Sequence, residues 1–231
     1  MGHDQAAGKT GTLTERVAGE TFSILVKAAD AYGNTVTTVN DVVGFTATND
    51  IYAQLPPNTA LVNGVLNASV TYRIGSTSKN RRLTVTDITD GTKTASQSAT
   101  FIVNIGPYAG LLVVLPGEVY KAGSPTGKEE PPGNQGIGVA FNVVVRAVDI
   151  AFNTITSVTD VVSITSNDPL AVLPANAALV NGVKSNFSVR LNSASTSTTI
   201  TATSDNVTKS PYTAGPVMVL GPSAASNFFR S

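Results

Sequence analysis

The chain has 231 residues, and its 15 Lys and Arg are balanced by 15 Asp and Glu, so its formal net charge at pH 7 is zero. A chain without net charge has no overall field to attract nucleic acid or an anionic membrane. The absence of cysteine excludes disulfides, thiolate metal sites and cysteine nucleophiles. Val and Thr are abundant beside Asn, Gly and Pro, while the helix-forming Glu, Lys and Met are scarce, which indicates an all-β protein.

The first predicted strand lies in the segment from Phe22 to Ala28, where apolar and wetter residues alternate. The same alternation returns from Phe141 to Ala147. Further strands are predicted at Val42–Thr48, Ala68–Tyr72, Leu83–Ile88 and Ala99–Ile105, each with a partner in the second half. About seven short strands per half, with no amphipathic helical pattern, are typical of a β-sandwich.

A long internal repeat connects the two halves. Phe22 is matched by Phe141 and Asp30 by Asp149, an offset of 119 residues in both cases. After a one-residue slip the match continues through an Asn-Gly turn that precedes a strand in each half, at Gly64 and Gly182. A repeat longer than a solenoid unit predicts that each copy has its own core. We therefore expect two tandem immunoglobulin-like domains, at residues 1–106 and 107–220.

Two polar segments are predicted to be loops. The run Lys79, Arg81 and Arg82 is the largest basic cluster, and a solvated loop between strands explains it better than a phosphate site. The segment Lys121–Gly136 is rich in Gly, Pro and charge, and we expect it to be an exposed loop of the second copy.

The two copies are out of phase with the ends of the chain. The first copy lacks the equivalent of the strand from Leu111 to Glu118, while residues 221–231 look like the opening strand of a third copy. One interpretation is a fragment cut from a longer array. The other is donor-strand exchange, in which this tail pairs with the open edge of the first copy in a neighbouring molecule. The candidate assembly residues are Val219, Leu220, Phe228 and Phe229.

Few residues suggest catalysis. The only histidine is His3, at a terminus where fraying is common, so no serine-hydrolase triad can be assembled. The adjacent acids Glu129 and Glu130 lie between Pro and Gly residues, where solvated carboxylates are expected rather than a general acid with a raised pKa. We therefore expect no enzymatic activity and no cofactor.

A weak calcium hypothesis rests on two pairs of oxygen-bearing side chains, Asp30 with Asn34 and Asp149 with Asn153. Because Ca²⁺ takes six to eight oxygen ligands, two per site are too few unless other acids, such as those at positions 41 and 160, lie close. The alternative is that each Asp and Asn holds a turn by hydrogen bonds to the local backbone, which these residue types commonly do.

The segment Asp30–Val36 reads Asp-Ala-Tyr-Gly-Asn-Thr-Val, and it resembles the Asp-x-x-Gly-Asn turn of bacterial immunoglobulin-like repeats in invasin-type adhesins. The stretches Leu-Pro-x-Asn-x-Ala-Leu-Val-x-Gly that begin at Leu55 and Leu173 are similar to units of giant bacterial surface proteins. The second copy departs from the turn motif, with Phe152 in the place of Gly33. The resemblance implies export, display on the cell surface and a spacer or adhesive role.

The sequence thus predicts a structural or adhesive repeat of a secreted or surface protein, whose partners are neighbouring repeats or other copies of itself. We expect no membrane insertion, because the longest apolar run, Leu111 to Leu115, is too short to cross a bilayer. A filament subunit joined by donor strands is the first alternative. A carbohydrate- or protein-binding module is the second, although a carbohydrate module needs an aromatic platform and the candidates Tyr32, Tyr52, Tyr108 and Tyr120 are scattered.

Overall fold

The computed structural model describes residues 14–221, and this part of the chain contains strands and turns but no helix. The chain divides into two compact units, Met1–Gly106 and Pro107–Ser231. Since the described residues form no helix, none is long and apolar enough to cross a membrane.

Unit 1 contains two sheets. Its strands are β1 (Arg16–Val17), β2 (Thr21–Lys27), β3 (Val42–Thr48), β4 (Thr59–Ala60), β5 (Val65–Thr71), β6 (Ser76–Asp87), β7 (Ser96–Gln97) and β8 (Phe101–Asn104). The larger sheet has the order β1-β8-β6-β3-β4, with β7 also paired to β6, and the smaller sheet is the antiparallel pair β2-β5. The pair β1-β8 is parallel.

Aromatic rings join the two sheets of unit 1. Phe22 on β2 lies 6.3 Å from the ring of Tyr72, just after β5, and 6.3 Å from the ring of Phe101 on β8. The rings of Tyr72 and Phe101 meet edge to face at 5.0 Å, a favoured geometry for aromatic pairs. These contacts bring the inner faces of the two sheets together, as in a β-sandwich.

Unit 2 contains the same two layers with additional strands. These are β9 (Gly110–Val114), β10 (Val119–Tyr120), β11 (Lys128–Glu129), β12 (Gln135–Gly136), β13 (Ala140–Val148), β14 (Val161–Ser166), β15 (Ala177–Ala178), β16 (Val183–Arg190), β17 (Ser195–Ser204) and β18 (Tyr212–Leu220). One sheet has the order β16-β13-β9 and the other β12-β18-β17-β14-β15, while β10 and β11 form a separate hairpin.

The core of unit 2 lies between its two sheets. Val113 on β9 and Val145 on β13 are fully buried and share one cluster with Val162 on β14, Ile200 on β17 and Val217 on β18. Side chains that alternate inward from both sheets build the core of a sandwich. The fold is therefore all-β, with two immunoglobulin-like sandwiches in tandem along the chain.

The strand register agrees with the repeat seen in the sequence. Phe22 on β2 pairs with Val70, and Phe141 on β13 pairs with Val189, so the same positions face each other in both units. The register of β13 against β16 shifts between Val143 and Val145, whereas β2 and β5 pair without interruption. A β-bulge takes up one extra residue in β16, so the offset between the copies returns from 118 at Val183 to 119 at Phe187.

The prediction of a solvated loop at the basic run was wrong. The basic run lies within β6, where Arg81 is buried and its guanidinium donates to the Ile74 carbonyl oxygen at 3.0 Å. The segment 121–136 consists mainly of turns and loops, as predicted, but it also contains the two-residue strands β11 and β12, and Lys128 on β11 is mostly buried. Long cationic side chains such as those of Arg81 and Lys128 can bury their stems and pair their charged ends, so charge alone does not predict exposure.

Candidate functional site

The two Asp and Asn pairs form matching turns. Asp30 Oδ1 accepts from the backbone N–H groups of Tyr32 at 2.9 Å and Asn34 at 2.8 Å, and Oδ2 accepts from the Asn34 amide at 2.9 Å. The side-chain hydrogen bond from Asn34, followed by its backbone hydrogen bond, lowers the pKa of Asp30. In unit 2, Asp149 Oδ1 accepts from the N–H groups of Ala151 at 2.9 Å and Asn153 at 2.8 Å. These carboxylates thus hold turns.

The turn of unit 2 has the same backbone geometry as that of unit 1, although Phe152 replaces glycine. The φ angle is 86° at Gly33 and 64° at Phe152, so both residues adopt the left-handed conformation. A bulky residue rarely adopts this conformation without support. The Tyr120 hydroxyl donates to the Phe152 carbonyl oxygen at 2.7 Å. The Phe152 side chain packs against the buried cluster that contains Leu112 and Val148. These contacts hold Phe152 in place.

Asp41 and Asp160, the acids that could have completed a calcium site, interact with residues other than Asp30 and Asp149. Asp41 lies near Asp87; burial, followed by the charge of Asp87, raises the pKa of Asp41. Asp160 accepts from the Ser204 hydroxyl at 2.6 Å. Within residues 14–221, no three His, Cys, Asp or Glu side chains are grouped so that they could hold a metal ion.

One further acid in each unit fastens a loop, and neither of them was among the candidate site residues predicted from the sequence. Asp50 accepts from the N–H groups of Arg73 at 2.6 Å and Ile74 at 2.9 Å. Asp168 accepts from the Asn192 N–H at 2.7 Å and from the Ser193 hydroxyl at 2.7 Å. Burial disfavours ionisation of Asp168, but the hydrogen bonds from Ser193 and the backbone outweigh it, so the pKa is lowered. The matched Asn-Asp dipeptides at residues 49–50 and 167–168 were the available signal.

A buried ion pair closes the hairpin of unit 2. Lys128 Nζ lies 2.7 Å from Glu118 Oε1, and the two side chains are only 11% and 7% exposed. Lys128 also donates to the Val113 carbonyl oxygen at 3.0 Å, and Glu118 Oε2 accepts from the Leu115 N–H at 2.8 Å. The pair therefore ties the hairpin to the segment that contains and follows β9.

The carboxylates and aromatics proposed for ligand chemistry are dispersed. Glu129 and Glu130 are both exposed, and Glu129 lies 3.5 Å from Lys121. Of the four scattered tyrosines only Tyr32 is fully exposed, at 87%, while the other three are partly buried. Burial raises the pKa of Tyr108 to about 12, so it remains protonated.

The clearest difference between the units is at one sheet edge. In unit 2, β13 pairs on one side with β16 and on the other with β9. In unit 1, the equivalent strand β2 pairs with β5, and no strand among residues 14–221 covers its other edge. Ala28 donates to the Gly64 carbonyl oxygen on the β5 side at 2.8 Å. Because N–H groups alternate along a strand, those of Leu25 and Lys27 point towards the open edge.

The open edge leaves the core of unit 1 less covered. On the β9 side of unit 2, Val143, Val145 and Ala147 are fully buried, and Leu111 and Val113 of β9 complete that part of the core. The equivalent residues of unit 1 are Ile24, Val26 and Ala28, and each is only partly buried. Their partial exposure marks the place that β9 fills in unit 2.

The proposed assembly residues fall in two different places. Val219 lies in β18 with a side chain only 2% exposed, and it pairs with Gln135 of β12. Leu220 pairs with Gly136 at the end of the same strand. Both residues therefore belong to a sheet of their own unit and are not free to pair with another molecule. A segment that could be exchanged between molecules would consist only of residues after Gly221. Phe228 and Phe229 lie outside the described residues.

No protein-family profile and no curated protein matches the chain. Among solved structures, it is similar to the Escherichia coli adhesin FdeC, with 17% identity over 90% of this chain and 62% of that one and a TM-score of 0.33. Domains 4–9 of the surface-layer protein SbsC share 20% identity over 94% of this chain and 31% of that one, with a TM-score of 0.32. The β-glucuronidase of Parabacteroides merdae shares 11% identity over 77% of this chain, with a TM-score of 0.34. This chain covers 21% of the length of that enzyme.

Proposed function

We propose that the chain is a non-enzymatic structural module of an extracellular surface protein, in which sandwich domains in series act as a spacer or stalk. The observation that carries this proposal is that matching acidic side chains in both units are used to fasten loops. Asp30 and Asp149 hold the same turn, and Asp50 and Asp168 hold the same loop. A carboxyl group that acts as a general acid near neutral pH needs a raised pKa, whereas the pKa values of Asp30 and Asp168 are lowered.

A surface location is supported by the turn at Asp30–Val36, through its resemblance to bacterial surface repeats. A connection of only five residues, Ile105–Ala109, separates β8 from β9. It contains Gly106-Pro107, and proline stiffens a linker. Short connections between repeated domains favour a spacer over a flexible tether. The carbohydrate-binding alternative has no comparable support, because the described tyrosines provide a single well-exposed ring, that of Tyr32.

The spacer function can be tested on a cell surface. One, two or three copies of the chain are placed between a membrane anchor and a fluorophore, and the height of the fluorophore above the membrane is measured. A spacer raises the height by the same increment with each copy. The matched control is a Gly/Ser linker of equal residue number, whose end-to-end distance grows only as about the square root of its length. Heights that follow the linker control would refute the proposal.

A further inference from the structure

We propose that the open edge of β2 in unit 1 binds residues 222–231 of a second copy of this chain as an added antiparallel strand. The bound segment would occupy the place that β9 occupies in unit 2. Copies would then join head to tail. This inference goes beyond the proposed function, since a spacer needs no contact between separate chains.

The acceptor is defined by its equivalence to β13. The β13 register against β9 pairs Val145 with Val113 and Arg146 with Leu112. At the offset of 119 residues, these acceptor positions are Val26 and Lys27 in β2. The exposed N–H and C=O groups of an unpaired edge are a template for another strand. The edge of β2 therefore offers backbone hydrogen bonds at the positions that β9 uses in unit 2.

Apolar side chains at this edge are incompletely covered. Ile24, Val26 and Ala28 of β2 are only partly buried, and on the other sheet the paired residues Phe45 of β3 and Val85 of β6 are also only partly buried. In unit 2 the residues equivalent to this last pair, Ile164 and Ala202, are 5% and 0% exposed. A strand added to the edge of β2 would remove apolar surface of Ile24, Val26 and Ala28 from water, which is a favourable change. A strand that fits this edge therefore needs at least one apolar side chain that faces the core of unit 1.

A cation at the edge does not prevent pairing. Lysine on an edge strand commonly blocks aggregation, and Lys27 is such a residue. Its equivalent, Arg146, nevertheless pairs with Leu112 of β9, because its side chain lies on the outer face, 4.1 Å from the Tyr120 ring centroid. An outward cation is therefore compatible with a strand on this edge.

The occupant is indicated by the chain itself. The last strand of unit 1, β8, is followed by Gly106-Pro107 and then by β9, which pairs with β13 of unit 2. In unit 2, β18 is followed by Gly221-Pro222 and nine more residues. When Pro222 is aligned with Pro107, the last residue, Ser231, falls at the position of Pro116. The segment after Gly221 is therefore long enough to match the whole of β9, which ends at Val114. The offset of 115 between the two Gly-Pro pairs places Phe228 at the core position of Val113.

The first test is complementation between two full-length variants, measured by light scattering over a range of concentrations. Wild-type chain is expected to show a mass that rises above 23.7 kDa with concentration. Deletion of residues 222–231 removes the donor, and Leu25→Pro removes an N–H that faces the open edge without touching the β5 side. Each variant alone is expected to remain monomeric, and their mixture is expected to stop at twice the chain mass.

Leu25→Thr is the matched control, since it changes the same exposed side chain but keeps the N–H, and it is expected to assemble like wild type. If Leu25→Pro does not fold, as judged by circular dichroism, the deletion still decides the question, because it leaves residues 14–221 unchanged. Wild-type chain that is monomeric at every concentration would overturn the inference. Assembly that survives the deletion would overturn it too.

A second test uses the absence of cysteine from the chain. The unit 2 register places Lys27 opposite Asn227 of the donor, so a chain carrying Lys27→Cys and Asn227→Cys is expected to form a ladder of covalent multimers on oxidation. The control pairs Lys27→Cys with Phe228→Cys, because adjacent strand residues face opposite sides and do not crosslink. Equal ladders from both variants would refute the register. The cell-surface height test is independent of both experiments, so either proposal can fail alone.

Discussion

Removal of one partner from the Lys128–Glu118 pair is expected to destabilise unit 2 strongly. Glu118→Ala leaves the Lys128 ammonium mostly buried without its carboxylate, and it also removes the acceptor of the Leu115 N–H. Breaking a buried pair in this way costs about 3–5 kcal/mol of unfolding free energy. For a domain of this size, the loss corresponds to a fall of about 10–20 °C in the melting temperature of unit 2.

The assay is differential scanning calorimetry of the full chain, in which the two units can be followed as separate transitions if they unfold independently. The matched control is Lys121→Ala in the same hairpin, where the Lys121–Glu129 pair spans 3.5 Å and both side chains are more than 40% exposed. An exposed pair contributes about 0–1 kcal/mol, so the control should melt close to wild type.

The double variant Glu118→Leu, Lys128→Met separates charge burial from packing. Replacing both members of a buried pair by apolar residues of similar size is often neutral or stabilising, so the double variant should recover most of the loss. The reasoning is refuted if Glu118→Ala costs no more than the Lys121→Ala control. It is also refuted if the double variant is as unstable as Glu118→Ala.

Three further predictions concern the turns. Gly182→Ala should cost more than about 1 kcal/mol in urea unfolding, because φ is +70° there and a Cβ would press on a neighbouring backbone carbonyl, while Gly110→Ala, in open space, should cost much less. Folding lowers the pKa of Asp168 below its usual value of 3.8, so its contribution to stability is present above about pH 4 and lost as the pH falls through the native pKa. Asp168→Asn should therefore flatten the acid limb of a stability-against-pH curve, and an unchanged limb would contradict this. Calorimetry of Asp149→Ala and Asp30→Ala should show the larger loss at the buried Asp149, and equal losses would show that burial does not matter here.

The sandwich fold could be predicted because the signals are local and repeated. Alternation from Phe22 to Ala28, and the Asn-Gly turns before β5 and β16, specify strands and hairpins with short-range chemistry alone. The structure adds which edge of β2 no strand among the described residues covers, and this depends on the pairing of β2 with β5.

Burial that depends on distant partners could not be predicted from the sequence. Arg81 and Lys128 both lie in polar stretches, and each is buried because carbonyl or carboxylate oxygens from other segments reach it. Nothing in the local pattern distinguishes these cations from solvated ones. The turn at Phe152 is similar, since its left-handed conformation depends on a hydroxyl from Tyr120, some thirty residues earlier.

The parallel pairing of β1 with β8 has a mechanical consequence. Arg16 and Val17 pair with Val103 and Asn104, so the strands near the two ends of unit 1 run side by side in the same direction. When the protein is under tension, force enters β1 from its amino-terminal side and β8 from its carboxyl-terminal side. The hydrogen bonds between them are then loaded in shear and must break together. Unit 1 would resist being pulled open more than a pair of strands that unzips one bond at a time.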